Sequence, residues 1–229
     1  IDVVLPNIVG TINLLKFSEK KKLDKFVFFS STGVNGFVDD KIRPISENVY
    51  GSLDPTLIQN SYLESKRMGE NLCYAWFSQK KVPIQIARPA ITYGPGIRLN
   101  DGRSYADFIS SVANNKNIVL FSDGSALRNY CYVSDFFSGL MIMLLKGKIG
   151  STYNIANEEE ISIKKLSDLI VNKFFKEKKL KVTYDKFYNN FLRVKFKRTT
   201  VSTKKLRSLG LRILTSIEDG FKRTLRIYE

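Results

Sequence analysis

Residues 61–70 read SYLESKRMGE and hold a phenol and an amine four positions apart, Tyr62 and Lys66. On a helix that offset puts both side chains on one face. An ammonium beside a phenol favours the phenolate, because an opposite charge stabilises the ionised form. Such a pair can move a proton at an alcohol or a ketone while another group handles the hydride. The plain alternative is a solvated lysine beside a half-buried tyrosine, since Tyr and Lys four apart recur by chance in helical proteins. The sequence has no histidine and only two cysteines, Cys73 and Cys131. A His-based triad and a His-ligated metal are therefore excluded, a thiolate zinc site is excluded in practice, and no metal is expected.

The elements that must position this pair are legible around it. The helix carrying it is read over residues 59–79, with Tyr62, Met68, Leu72, Ala75 and Trp76 on or near apolar faces. Residues 1–24 read as an earlier helix with Ile8, Ile12, Leu15 and Phe17 as apolar positions. Gly10 in its middle costs about 1 kcal/mol against Ala, and either admits a close neighbour or is only tolerated. Residues 25–30 are an unbroken apolar run, a buried parallel strand. It runs into SSTGVNG, whose small hydroxylated residues suit the rim outside the carboxyl ends of parallel strands. Residues 37–56 read as loop and 83–88 as a strand, followed by the Pro- and Gly-dense PAITYGPG. Further on, helices are expected at 105–113 and 134–145, the second capped by Ser134. Strands are expected at 118–121, 152–156 and 181–184. Ser162 is expected to cap a helix with the stripe Ile163, Leu166, Leu169 and Ile170. A T-x-x-E capping box at Thr215 and Glu218 opens the last helix.

The 229 residues, 43% hydrophobic and 26% charged, have ordinary globular composition and suffice for one large domain or one and a fraction. Of the net charge of +15, most sits in residues 160–229, which carry 19 Lys/Arg against 7 Asp/Glu. A basic surface attracts polyanions. The sequence has no helix-turn-helix, zinc-finger or RNP-like character, so no nucleic-acid partner is expected, and attraction of a phosphate-bearing substrate fits better. The longest strongly apolar run, GLMIMLL, is far too short to span a membrane. No basic-plus-apolar leader opens the sequence, and two cysteines give no disulfide framework. A cytoplasmic home is expected, with no membrane partner.

Taken in order, PNIVGTINLL, KFVFFSSTGVNG, PISE, SYLESKRMGE, RPAITYGPG and GSALRNYCYVSD resemble the NAD(P)-dependent epimerase/dehydratase family. These are the extended short-chain dehydrogenase/reductases that act on nucleotide sugars. The resemblance spans essentially the whole chain and weakens around RTTVSTKKLRSLGL. It implies an α/β fold, the C-terminal portion of a Rossmann-like parallel sheet with a smaller α/β substrate-binding lobe. Residues 1–96 would be the partial cofactor-binding domain and 97–229 mainly the substrate lobe, with some segments returning to the core. By resemblance, Tyr62 is the base, Lys66 lowers its pKa and binds the nicotinamide ribose, and Ser31 orients the sugar hydroxyl. NAD or NADP would be bound by Asn7, Ser30, Tyr62, Lys66, Arg88 and Pro89. A nucleotide-diphosphate sugar would be bound by Ser31, Thr32, Tyr93, Arg103, Arg128 and Arg198. Arg128 matches the family arginine at the diphosphate, a role suited to a planar donor fork. Helices 7–20 and 59–79 would form a homodimer seam.

The departures from the family pattern matter as much. No glycine-rich G-x-x-G-x-x-G turn or βαβ unit precedes residue 25, so half of the cofactor cradle is expected to lie on a longer protein or to have been lost. Dehydratases of the family carry Asp-Glu after the position of Ser31, and decarboxylases keep a Glu just before the Val. Thr32 and Gly33 stand there and offer no general acid. Asn35 replaces the common Tyr of V-Y-G, and Ile91 replaces an Asn that contacts the substrate phosphates. The expected function is a nucleotide-sugar epimerase acting through a 4-keto intermediate. The alternatives are a reductase, a 4,6-dehydratase or decarboxylase, and a non-catalytic truncated remnant.

Overall fold

The structure, a computed structural model, describes residues 1–185 and 196–228. A π-helical turn at Pro6–Gly10 runs directly into α1 (Thr11–Lys21), followed by β1 (Phe26–Phe29), α2 (Ser61–Lys80), β2 (Ile84–Pro89) and β3 (Ile91–Tyr93). Then come α3 (Ser104–Ala113), β4 (Ile118–Leu120), β5 (Leu127–Arg128), β6 (Tyr130–Tyr132) and α4 (Val133–Lys146). The remaining elements are β7 (Ser151–Ile155), β8 (Ile161–Ser162), α5 (Ile163–Leu169), β9 (Val182–Tyr184), α6 (Lys204–Arg207) and α7 (Ile217–Leu225).

Three parallel strands in the order β1-β2-β7 make the Rossmann-like sheet. Phe28 pairs with Ile86, and Ala87 with Tyr153. The central β2 reads IQIARP, and the weak alternation has a physical reason: both faces of the strand are covered. Ile84 and Ile86 pack with Leu15, Phe28, Cys73 and Val82 under α1 and α2. Ala87 packs with Met143, Tyr153 and Ile155 under α4, closed by Leu206 and Leu211. Gln85 is thereby buried too, and its Nε2 donates to the carbonyls of Met143 and Gly147. Each such apolar side chain contributes about 1.5–3 kcal/mol.

Close approach of α2 to the sheet depends on Gly69, where a Cβ would stand 2.3 Å from the Phe28 ring. Gly10, by contrast, has open space where a Cβ would stand, with nothing within 4 Å, and is simply tolerated in its helix. Helix α1 stops at Lys22, which adopts a left-handed φ of 50°. Lys20 and Lys21 sit in its last turn, where the helix dipole favours cations.

A second core is aromatic. Tyr93 stacks on Phe221 with ring centroids 4.2 Å apart, and Tyr105, Tyr130 and Tyr132 meet Tyr93 edge-on. Three small ladders surround it: β3 with β6 and β4 with β9, both parallel, and β5 with β8, antiparallel.

Two expected caps are corrected. Ser134 is not the cap of α4, because Tyr132 occupies the cap position without a side-chain bond. Asp135 instead accepts from the backbone N–H groups of Leu214 and Thr215 and ties down the approach to α7. Helix α7 is capped by Ser216, whose Oγ accepts from the Asp219 N–H at 3.1 Å, so the Thr215/Glu218 box is one residue out of place. Glu218 pairs with Lys173 at 2.5 Å instead. Ser162 does cap α5, accepting from the Lys165 N–H at 3.0 Å.

Among the described residues, the outer edge of β1 has no strand partner. The α4 positions Val133, Phe137, Met141 and Leu145, four apart, are all exposed, as is Phe29 at the end of β1. No helix among the described residues is long and apolar enough to cross a membrane.

Candidate active site

The carboxyl end of β1 delivers Ser31 in extended backbone (φ −156°) at the start of a 3-10 turn, Thr32–Asn35. The Ser31 Oγ accepts the Gly33 N–H at 3.1 Å and fixes that turn. Tyr62 stands in the first turn of α2, and its phenol interacts with the Ser31 hydroxyl. One turn later, Lys66 Nζ donates to the Phe29 carbonyl at 2.9 Å and lies 5.9 Å from the centroid of the Tyr62 ring. Three residues from two distant segments thus meet at one strand end. Beside them the Ser30 Oγ is buried and has no hydrogen-bond partner among the described residues.

The electrostatics differ from the simple picture of a lysine lowering a phenol. Burial raises the Tyr62 pKa above its ordinary value, opposed by the Ser31 hydrogen bond and by the charge of Arg103. Lys66 is itself pushed down by burial, and one of its three ammonium donors is taken by the Phe29 carbonyl. The cation acting on the phenol is Arg103, held by Asp101 through charge-assisted hydrogen bonds. Arg103 also lies 5.1 Å from the centroid of the Tyr105 ring. It lines a cleft of about 470 Å³ with Thr92, Arg98, Asn100 and Asp101.

Two of the expected ligand contacts are corrected. Arg88 has no exposed surface: its Nε and Nη2 bind both Glu70 oxygens at 2.7 and 2.6 Å, and its other donors reach Asn35 Oδ1, the Glu47 carbonyl and Tyr50 Oη. No donor remains for a cofactor. Tyr93 is 2% exposed, and its hydroxyl donates to the Ile217 carbonyl at 3.1 Å, so it belongs to the aromatic core. Asn7 is turned into the seam between the first helix and α2, where its Nδ2 donates to Ser65 Oγ at 2.9 Å. Thr32 lies half-buried in the Ser31 turn, and Pro89 ends β2 opposite Ile155.

Arg128 and Arg198 form a second group around β5, where Leu127 bridges to Arg198. Arg198 is clamped by Glu160 through two bonds of 2.5 Å. Arg128 is half-buried and has no carboxylate within ion-pair distance among the described residues. Burial lowers its pKa, opposed by Tyr130. A desolvated guanidinium without a counter-ion is an anion-binding feature.

Sequence reasoning missed Arg67, which follows Lys66 and reaches back to the turn carrying Ser31, and the Glu70–Arg88 pair. The adjacency of Lys66 and Arg67 in the chain was the only available signal for the first. The second required knowing that β2 is covered on both faces.

Comparison with known proteins places the fold in a family. The family model described as the NAD dependent epimerase/dehydratase family matches residues 1–156. A UDP-glucuronic acid decarboxylase 1 from Xenopus tropicalis is 32% identical over 164 residues, covering 72% of this chain and 38% of the relative. A dTDP-D-glucose 4,6-dehydratase from Dictyostelium discoideum is 35% identical over 173 residues, covering 72% and 39%. The chain thus spans about two-fifths of the length of these relatives. Among solved structures, a UDP-glucuronic acid 4-epimerase from Bacillus cereus, in complex with UDP-glucuronic acid and NAD, superposes with a TM-score of 0.84 at 25% identity. That match covers 98% of this chain and 68% of the other. With the family model matching well over half of its residues, the chain belongs to the NAD-dependent epimerase/dehydratase family.

Proposed function

We propose that this chain supplies the proton-transfer and sugar-binding part of an NAD(P)-dependent nucleotide-sugar epimerase working through a 4-keto intermediate. The observation that carries this reading is the meeting of Ser31, Tyr62 and Lys66 at the carboxyl end of β1. Tyr62, as phenolate, takes the proton from the sugar hydroxyl and later returns it to the ketone oxygen. Ser31 orients that oxygen through its hydroxyl, and Arg103 favours the ionised phenol. Arg128, a half-buried cation without a carboxylate partner, suits the diphosphate of the substrate. NAD(P), when bound, supplies the hydride acceptor and donor. The residues present fit the nicotinamide end of that cofactor: Tyr62, Lys66 and the unpartnered, buried Ser30 hydroxyl. No glycine-rich turn for its pyrophosphate occurs in the sequence.

Thr32 and Gly33 put no carboxylate beside Ser31, which favours epimerisation over chemistry that needs an extra general acid. The decarboxylase and dehydratase relatives favour a second reading, in which the same oxidation at the sugar leads to loss of carbon dioxide or water. A homodimer through the first helix and α2 is supported by the exposed Leu14, Phe17 and Met68. The test is to incubate the natively expressed polypeptide, at its full length, with NAD and UDP-glucose, UDP-glucuronic acid or dTDP-glucose, following products by NMR. A 4-epimer that disappears with Tyr62→Phe is expected. A decarboxylated or 4-keto-6-deoxy sugar would replace the first reading by the second, and turnover unaffected by Tyr62→Phe would overturn both.

A further inference from the structure

The turn that presents Ser31 is not held in place by β1 alone. A long loop separates it in sequence from α2, which carries Tyr62 and Lys66, so the spacing of hydroxyl and phenol must be set by contacts in space. Two such contacts exist. Leu63 packs against Gly33 so closely that a Cβ there would stand 2.6 Å from Leu63 Cδ2. Arg67, the residue after Lys66, donates from Nε to the Val34 carbonyl at 2.7 Å and from Nη2 to the Gly51 carbonyl at 2.8 Å. The far end of the turn is shaped around the same guanidinium. Gly36 has φ +69°, and a Cβ on it would come within 2.7 Å of Arg67 Nη2 and 2.6 Å of the Ser52 carbonyl oxygen. Glu64 is 3.9 Å from Arg67 Nη1, with both side chains partly exposed, too weak a contact to set the orientation of Arg67.

We propose that Arg67 is a positioning residue, whose two bonds to the Val34 and Gly51 carbonyls hold the Ser31 turn in register with Tyr62. The inference rests on the roles given above to Ser31 and Tyr62. A guanidinium serves here because its planar fork reaches two separate carbonyls at once, which an ammonium on a flexible stem does not do with the same geometry. Without the clasp, the turn would keep its own Ser31–Gly33 bond but lose its alignment with α2. The phenol would then lose the hydroxyl that stabilises its ionised form.

The test uses Arg67→Ala and Arg67→Lys in the full-length polypeptide, with tyrosines labelled at the ring carbon bearing oxygen and the Tyr62 signal assigned through Tyr62→Phe. The groups facing that phenol are Ser31, Arg103 and Lys66. In Arg67→Ala the Tyr62 titration should move to higher pH, because a lowering contribution is removed, and Arg67→Lys should recover part of the shift. The kcat of Arg67→Ala should fall about 100-fold, as expected for loss of alignment on the order of 1 Å, with KM for the nucleotide sugar little changed. An unmoved Tyr62 titration in a folded Arg67→Ala protein would overturn the proposal. Should Arg67→Ala fail to fold, Arg67→Gln is titrated instead, with the same two outcomes. The NMR arm needs no turnover. A shifted titration in a protein with no activity would therefore count against the functional reading and not against the clasp.

Discussion

Tyr62 is under opposed influences, and their balance decides how the site works. Burial holds the phenol protonated, while the Ser31 hydroxyl and the Arg103 charge pull the other way. Removing Arg103 takes away one lowering influence, so Arg103→Ala should move the rising limb of the kcat/KM–pH profile toward higher pH. A profile that stays put would show that Arg103 does not act on the phenol. The Tyr62/Lys66 pair was legible because four residues on a helix is a fixed geometry. The strand-end rule points to the whole SSTGVNG stretch, and only the family resemblance, counted back from Val34, singles out Ser31 within it. Arg103 as the cation acting on Tyr62 was not legible, because the 40 positions between them carry no periodicity that predicts contact. Arg88 and Tyr93 were misassigned for one reason: a motif position says nothing of whether a side chain points into a site or into a core.

At the scale of elements, α2 is fastened to both the sheet and the loop beyond Ser31. The Glu70–Arg88 pair links α2 to β2, and Arg88 goes on to Asn35, the Glu47 carbonyl and Tyr50. Both side chains are almost fully buried, at 6% and 0% exposed. Removing one partner strands the other charge in the core, so Glu70→Ala should cost about 3–5 kcal/mol in urea unfolding. The double change Glu70→Leu with Arg88→Met should cost less than Glu70→Ala. A double variant that is the less stable of the two would contradict this account of the pair. Element types can be read from periodicity, yet the sequence points to Ser134 and Thr215 as caps, two and one residues from the true positions. Ser, Thr and Asp cluster at helix starts, and only the backbone conformation selects among them.

For the molecule as a whole, the three-stranded parallel sheet is covered on both faces but open at the β1 edge among the described residues. The two cores make the fold sensitive to alkali. Burial pushes the thiols of Cys73 and Cys131 from 9.0 up to about 12. Between those values the unfolded chain loses thiol protons that the folded chain keeps, so stability should fall as pH rises from about 9. Melting temperature measured against pH should show this decline, and Cys73→Ala with Cys131→Ala should flatten it; an unchanged slope would contradict it. The central claim is that Tyr62 removes the proton of a sugar hydroxyl while hydride leaves the carbon that bears it. Its most direct test is stopped-flow absorbance of the full-length protein loaded with NAD and mixed with a nucleotide sugar. The account predicts a transient reduced-nicotinamide band that Tyr62→Phe abolishes and that Arg67→Ala slows. A band of equal size and rate in the wild-type and Tyr62→Phe proteins would contradict it.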